Sequence, residues 1–188
     1  MVRTVEPEED AVATVPLHPE IEPLRELAPI PDLTIDLLPT LRETPLIEPV
    51  ELSDAVTRVD HVVSTDPPVS VRVHTPADVD GPLPCVFSIH GGGYVLGTND
   101  MDDQKFDLWC QKFGVIGVSV EYRLAPEAPY PAPLDDCYAG LVWTFEHAAE
   151  LGIDPAKIGI TGVSAGGGLC AATALRARDL GEVQIQFQ

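Results

Sequence analysis

The pattern of hydrophobic and polar residues changes near residue 50, and the part that follows predicts a series of strands and helices. Valines alternate with polar residues through Val69–Thr75, which indicates a strand buried on one face. The stretch before it, residues 57–65, is predicted to pair with it as an antiparallel hairpin. Three later runs are continuously apolar, as in strands buried on both faces, and they cover residues 84–89, 114–123 and 157–163.

Apolar residues recur at helical spacing between and after these runs. Helices are predicted over residues 101–113, 134–152 and 165–178, and Gly152 is placed to end the second of them. The last residues, 181–188, alternate again and predict the start of one more strand. A hairpin followed by alternating strands and helices predicts an α/β fold, with a mostly parallel sheet and helices on both faces.

The first 50 residues have a different character. They hold nine of the 19 prolines, and residues 1–60 carry fourteen of the 30 acidic residues against four basic ones. Prolines interrupt the helical patterns here, so only short helices are predicted, at Ile21–Leu27 and Leu33–Arg42. We therefore predict an acidic, proline-rich tail and short-helix cap over residues 1–50, followed by the main domain over residues 51–188.

Charge and composition disfavour several classes of function. The net charge of −19 argues against nucleic acid, anionic membrane surfaces and anionic substrates, because like charges repel. No apolar run is long enough to span a bilayer, and the N-terminus lacks the pattern of a secretory signal. The four cysteines are widely spaced among apolar neighbours, which predicts reduced, buried thiols, no metal site and a cytoplasmic location.

The residues best suited to catalysis lie where the last long apolar run meets the last helix. Residues 162–166, here called the serine turn, read Gly-Val-Ser-Ala-Gly and fit G-x-S-x-G between a strand and a helix. So sharp a turn crowds the backbone around Ser164, and Gly162 and Gly166 relieve that crowding. The hydroxyl is then held near the N–H groups that begin the helix at Ala165. A phosphate-binding glycine turn is the alternative, although the usual phosphate-loop spacings are absent.

A second glycine-rich stretch, HGGGYVLG at residues 90–97, follows the buried strand that ends at Ile89. We call it the glycine-rich loop. Its three consecutive glycines let the backbone approach a ligand closely and leave N–H groups unshielded. Next to the serine turn, such N–H groups form an oxyanion hole, the donors that stabilise a developing negative oxygen. The two motifs together indicate nucleophilic chemistry at Ser164.

Four stretches together resemble the hormone-sensitive-lipase-like esterases of the α/β-hydrolase fold. They are HGGGY at 90–94, EYRLAPEAPYPAPLDDCYAGLVW at 121–143, DPAKIGITGVSAGGGL at 154–169, and the proline-rich N-terminal segment. The resemblance extends over residues 35–188. It implies a carboxylic ester hydrolase for short-to-medium acyl esters that needs no cofactor or metal, with the N-terminal segment helping to cover the acyl pocket.

The resemblance also implies roles for individual residues. Ser164 is the implied nucleophile, and the backbone N–H groups of Gly92, Gly93 and Ala165 are the implied oxyanion hole. The implied supporting residues, which shape the site without reacting, are His90, Gly91 and residues 123–133.

The sequence departs from the family pattern in two places. Val163 stands where many relatives carry aspartate. After Ser164 there is no histidine, although the family places an acid and then a histidine on later loops. We therefore expect these 188 residues to be a fragment with little activity alone. A ligand-binding relative without turnover and a scaffold domain are the alternatives, and the oligomeric state is open. The histidines expected to take no part are His18, His61, His74 and His147.

Overall fold

Five strands form one sheet in the structure, a computed structural model that describes residues 18–20, 33–77, 79 and 81–188. Residues 35–188 form one compact unit. The helix predicted at Ile21–Leu27 lies outside the described residues. The strands are β1 (Val56–Thr65), β2 (Pro68–Pro76), β3 (Leu83–Ile89), β4 (Ile116–Glu121) and β5 (Ile153–Gly162). The α-helices are α1 (Leu38–Glu43), α2 (Asp103–Phe113), α3 (Ala132–Glu146) and α4 (Ala165–Leu180).

The order of strands across the sheet is β1-β2-β4-β3-β5. The hairpin strands β1 and β2 are antiparallel, and β2 joins the rest by antiparallel pairing with β4. Strand β3 is parallel to both β4 and β5. The predicted hairpin and the predicted α/β fold are therefore confirmed.

Helices α3 and α4 pack on one face of the sheet and α2 packs on the other. The side chain of Phe87 joins the core beneath α3 and α4, whereas its neighbour Val86 packs with Phe106 of α2. This split follows from the alternation of side chains along a strand. Because β3 and β5 are parallel, the loops that follow them emerge at the same edge of the sheet, and these loops carry the two motifs.

Two predicted helices differ from the structure by more than two residues at one end. The helix predicted at Leu33–Arg42 is a 3₁₀ turn at Ile35–Leu37 followed by α1, which has a proline in its first turn. The helix predicted to reach residue 152 ends at Glu146. The ring of His147, the next residue, donates from Nδ1 to the backbone oxygen of Trp143 at 2.9 Å. The backbone N–H of His147 donates to the same oxygen at 3.0 Å, so the ring adds a second donor to this carbonyl at the helix end.

The strand predicted at residues 181–188 is not formed as a regular strand, so this prediction was wrong in detail. The N–H of Gln186 donates to the oxygen of Ile158 at 2.9 Å, and the N–H of Ile160 donates to the oxygen of Phe187 at 2.9 Å. The segment thus follows β5 in the same direction. A regular parallel ladder uses one residue for both bonds, and the extra residue here interrupts the pairing.

All four cysteines are free and buried, as predicted. Cys85 lies in β3, Cys110 in α2, Cys137 in α3 and Cys170 in α4. Burial raises the pKa of each thiol above its ordinary value, to about 11 for Cys110. Among the described residues, no helix is both long enough and apolar enough to cross a bilayer.

A buried carboxylate anchors the chain where it leaves β4. Asp136 in α3 is 2% exposed and accepts hydrogen bonds from Arg123 at the backbone N (2.9 Å), Nε (2.8 Å) and Nη2 (2.7 Å). The charged fork of arginine matches a carboxylate geometrically, and the backbone donor fixes its position further. These bonds join Arg123, the first residue of the segment 123–133, to helix α3, in which the segment ends; the family resemblance implies that this segment is structural.

We predict that Asp136→Asn lowers the free energy of unfolding by about 2–4 kcal/mol, because it leaves Arg123 without its buried counter-charge. The matched control is Asp135→Asn, since the Asp135–Arg176 ion pair is about half exposed and should change stability by less than about 1 kcal/mol. Urea denaturation of both variants measures the two changes. Equal losses in the two variants would contradict the assigned importance of Asp136.

Candidate active site

The turn between β5 and α4 holds Ser164 in a conformation that residues other than glycine rarely adopt. Its backbone angles are φ 55° and ψ −121°. A conformation of this kind costs on the order of 1–3 kcal/mol and persists only where the surrounding structure imposes it. The serine is solvent-exposed at the carboxyl end of the sheet, directly before the first residue of α4. A strand-to-helix turn that presents a strained serine is the geometry expected of a G-x-S-x-G nucleophile.

The glycines of the serine turn are required by close backbone contacts. A Cβ on Gly162 would lie 2.1 Å from the backbone oxygen of Gly166. A Cβ on Gly166 would lie 2.1 Å from the oxygen of Ile89 and 2.3 Å from that of His90. All three distances are far below any real carbon–oxygen contact, so α4 reaches the end of β3 only because these side chains are missing.

The glycine-rich loop lies beside the serine turn. A Cβ on Gly91 would be 3.5 Å from the Cβ of Ser164, which places the backbone of this loop next to the serine. Gly92 and Gly93 have positive φ angles of 116° and 64°, which favour glycine. The oxygen of Gly92 accepts hydrogen bonds from two later residues of the loop, so the loop folds back on itself. The structure therefore brings the two predicted motifs together.

His90 supports the loop from beneath. Its ring is buried and stacks on Tyr122, with centroids 4.1 Å apart and planes 12° from parallel. Its Nδ1 donates to the oxygen of Gly91 at 2.7 Å, and the hydroxyl of Tyr122 donates to the backbone oxygen of His90 at 3.1 Å. Burial lowers the pKa of His90 below its ordinary value, which favours the neutral ring. These contacts agree with the supporting role that the family resemblance implies for His90 and Gly91.

The other histidine rings of residues 35–188 contact groups away from the serine turn. His74 is buried in β2, where its Nε2 lies 2.8 Å from Asp103. His61 and His147 flank the indole of Trp143. None of these contacts prepares a histidine to act as a base for Ser164.

The sequence analysis placed Tyr94 in the glycine-rich loop but gave it no role of its own. Tyr94 has a φ of 67° and follows the three glycines directly. A Cβ on Gly168 would lie 2.7 Å from its hydroxyl, so the tyrosine side chain crosses to the first turn of α4. Its backbone oxygen accepts a hydrogen bond from Ala125 at 2.9 Å. The only signal for this role in the sequence was its place next to Gly93.

The comparisons with known proteins agree with this geometry. A family model described as "alpha/beta hydrolase fold" matches residues 86–188, which is more than half of the chain. Carboxylesterase NlhH of Mycobacterium tuberculosis is 48% identical over 120 residues. The chain belongs to the hormone-sensitive-lipase-like esterases of the α/β-hydrolase fold.

The chain matches only part of the length of its relatives in this family. The alignment with carboxylesterase NlhH covers 64% of this chain and 38% of the relative, so the chain spans less than two fifths of it. Hormone-sensitive lipase of Bos taurus is 41% identical over 96 residues, which cover 51% of this chain and 13% of the lipase. The solved structure of a bacterial heroin esterase matches with a TM-score of 0.67 and 44% identity, over 70% of this chain and 43% of that one.

We predict that Gly166→Ala destabilises the fold by about 3 kcal/mol, because the new methyl group meets two backbone oxygens that cannot move independently. Gly167→Ala is the control. Its nearest contact would be 3.3 Å from the oxygen of Gly162, and alanine favours the helix, so the change should stay within about 1 kcal/mol. Thermal and urea unfolding of both variants test this pair. Similar stabilities of the two variants would disprove the crowding at Gly166.

We predict that stability falls with acid partly through His90. Because burial lowers its pKa in the folded protein, the unfolded chain binds a proton first as pH falls below about 6.5. The free energy of unfolding should therefore decrease towards acid, by at most about 1.4 kcal/mol per pH unit, until the folded ring is also protonated.

The test compares the slope of unfolding free energy against pH, from pH 8 to pH 5, between the original chain and His90→Asn. The asparagine variant should show the shallower slope in this range. The same substitution at exposed His18 serves as the control. Parallel curves for the original chain and His90→Asn would rule out this contribution.

Proposed function

We propose that the protein containing these residues is a carboxylic ester hydrolase with Ser164 as its nucleophile. The observation that carries the proposal is the strained backbone of Ser164, held with Gly91 of the glycine-rich loop beside it. Carboxylesterases and lipases among the relatives support the same reaction. Since the chain spans only part of those relatives, the activity of the whole protein is inferred from this region.

In the proposed reaction the Ser164 oxygen attacks the ester carbonyl carbon and the carbonyl oxygen becomes negative. The N–H groups of Gly92, Gly93 and Ala165 are the proposed donors to that oxygen. The N-terminus of α4 adds a favourable dipole at the same point. The base takes the proton of the Ser164 hydroxyl and passes it to the alcohol oxygen as the bond from carbon to that oxygen breaks. Water then attacks the acyl-serine, which releases the acid and restores the serine hydroxyl. We expect the complete gene product to supply the acid and histidine that activate the serine, as the family pattern implies.

The proposed substrates are short-to-medium acyl esters. A cavity of about 450 Å³ lies between residues 41–52 and residues 97–104; its lining includes Gly97 at the end of the glycine-rich loop but neither Ser164 nor residues 91–93. Its size suits a small ligand. We propose that residues 41–52 form one wall of the substrate pocket. A cytoplasmic location and low activity of the 188 residues alone remain predictions.

A ligand-binding protein of the same fold is the second candidate. It is favoured by one observation: among the described residues, no histidine ring is hydrogen-bonded to Ser164. A protein with an intact oxyanion hole but no base would bind an ester without rapid turnover.

The test is hydrolysis of p-nitrophenyl acetate and butyrate by the product of the complete open reading frame that contains these 188 codons. Ser164→Ala should lower turnover about 10⁶-fold, as loss of the nucleophile does in other serine hydrolases. Ser64→Ala in β1 is the control and should keep full activity. A folded product that hydrolyses neither ester and whose Ser164 resists a fluorophosphonate would refute the esterase. Saturable binding of the ester by that product would then support the second candidate.

A further inference from the structure

Arg42, in the short helix α1, makes hydrogen bonds to two separate loops. Its Nε donates to the backbone oxygen of Val95 at 2.9 Å, and its Nη2 donates to the backbone oxygen of Ala125 at 2.9 Å. Nη1 and Nη2 also bind the carboxylate of Glu127, at 2.8 and 3.0 Å. One guanidinium therefore joins α1 to the glycine-rich loop and to the loop after β4.

The two loops are also joined to each other at this point. The N–H of Ala125 donates to the oxygen of Tyr94, one residue before the oxygen that Arg42 binds. Val95 and Leu96 in turn donate to the oxygen of Gly92. A movement of Val95 therefore carries the whole turn from Gly92 to Leu96 with it, and this turn sets the direction of the N–H groups proposed as oxyanion donors.

The hydrogen bonds from Arg42 to the two backbone oxygens restrain the loops more than its ion pair with Glu127 does. Glu127 is 65% exposed at its side chain, and an exposed ion pair contributes little because water screens it. The side chain of Arg42 is 28% exposed, and its planar fork fixes the direction of every donor. A charged donor to a carbonyl is stronger than a neutral one, so the two carbonyl bonds define where Val95 and Ala125 lie.

We propose that Arg42 is a positioning residue that holds the glycine-rich loop in the geometry required for oxyanion binding. Helix α1 then contributes to the proposed active site through this one side chain, in addition to helping to cover the acyl pocket. The catalytic part of this inference rests on the proposed esterase function. The structural part, restraint of the loop by Arg42, stands without it.

Hydrogen exchange of the backbone amides tests the structural part in the 188-residue chain. Arg42→Ala should speed exchange about tenfold at the amides of Val95, Leu96 and Ala125, which the loop contacts protect. Amides of β4, such as Val118, should keep their rates. The exchange rates of these loop amides in Arg42→Lys should lie between those of the original chain and those of Arg42→Ala. One ammonium group reaches fewer acceptors than the guanidinium does.

Arg178→Ala is the matched control, because Arg178 pairs with its neighbour Asp179 at the exposed end of α4. It should leave the loop amides unchanged. Unchanged exchange in Arg42→Ala would overturn the proposal, and so would an equal loss of protection in β4, which would make Arg42 a residue of general stability.

Kinetics of the complete gene product test the catalytic part. Arg42→Ala should lower kcat for p-nitrophenyl butyrate about 10- to 100-fold with little change in KM, because misplaced donors affect the transition state more than binding. A raised KM with unchanged kcat would instead make Arg42 a substrate contact and overturn the positioning role. If the original protein shows no turnover, the esterase proposal fails, and the exchange measurement still decides whether Arg42 restrains the loop.

Discussion

Helix α4 begins directly after Ser164 because the side chain of Gly166 is missing where two backbone oxygens need the space. The oxygens of Ile89 and His90 would lie 2.1 and 2.3 Å from a Cβ at that position. Any side chain there would push the helix away from the end of β3. The glycine-rich loop, which continues from β3, would then separate from the serine. The spacing between Ser164 and Gly91 thus depends on one backbone contact, and the site depends on that spacing.

The conformation of the serine turn and the packing of the sheet are parts of one arrangement. Strands β3 and β5 are parallel neighbours, so their following loops meet at one edge. Helix α4 covers both strands on the face opposite α2. The cost of the unusual φ of Ser164 is offset by the burial of apolar residues such as Leu169 along α4. A strained residue therefore persists at an exposed position because the elements on either side of it are firmly packed.

Periodicity in the sequence predicted the regular elements because their burial follows simple repeats. The alternation through Val69–Thr75 reflects one buried face, and the continuous run at residues 84–89 reflects two. The irregular pairing of Gln186 and Phe187 with β5 was not predictable in this way. Which backbone groups pair depends on the register that the neighbouring strand imposes, and hydrophobic pattern alone does not record an inserted residue.

The long-range polar contacts of Asp136 and Arg42 could also not be predicted from sequence patterns. Asp135 and Asp136 look alike in the sequence, as two carboxylates near the start of a helix, yet the fold buries only Asp136 against Arg123. Arg42 looked like the end of a short surface helix, and its partners lie more than 50 residues away. Long-range pairing of this kind becomes visible only when the chain is folded, whereas the glycine and serine motifs are local and could be recognised directly.

The four buried thiols can report local opening of the core, because they lie in different layers of the fold. One thiol lies in the sheet, one in α2 on one face, and two in α3 and α4 on the other. A thiol reagent needs both access and the thiolate form, and burial withholds both. The alkylation rate of each cysteine under mild denaturation therefore measures how often its own layer separates from the sheet, and the order of modification gives the order in which the layers come apart.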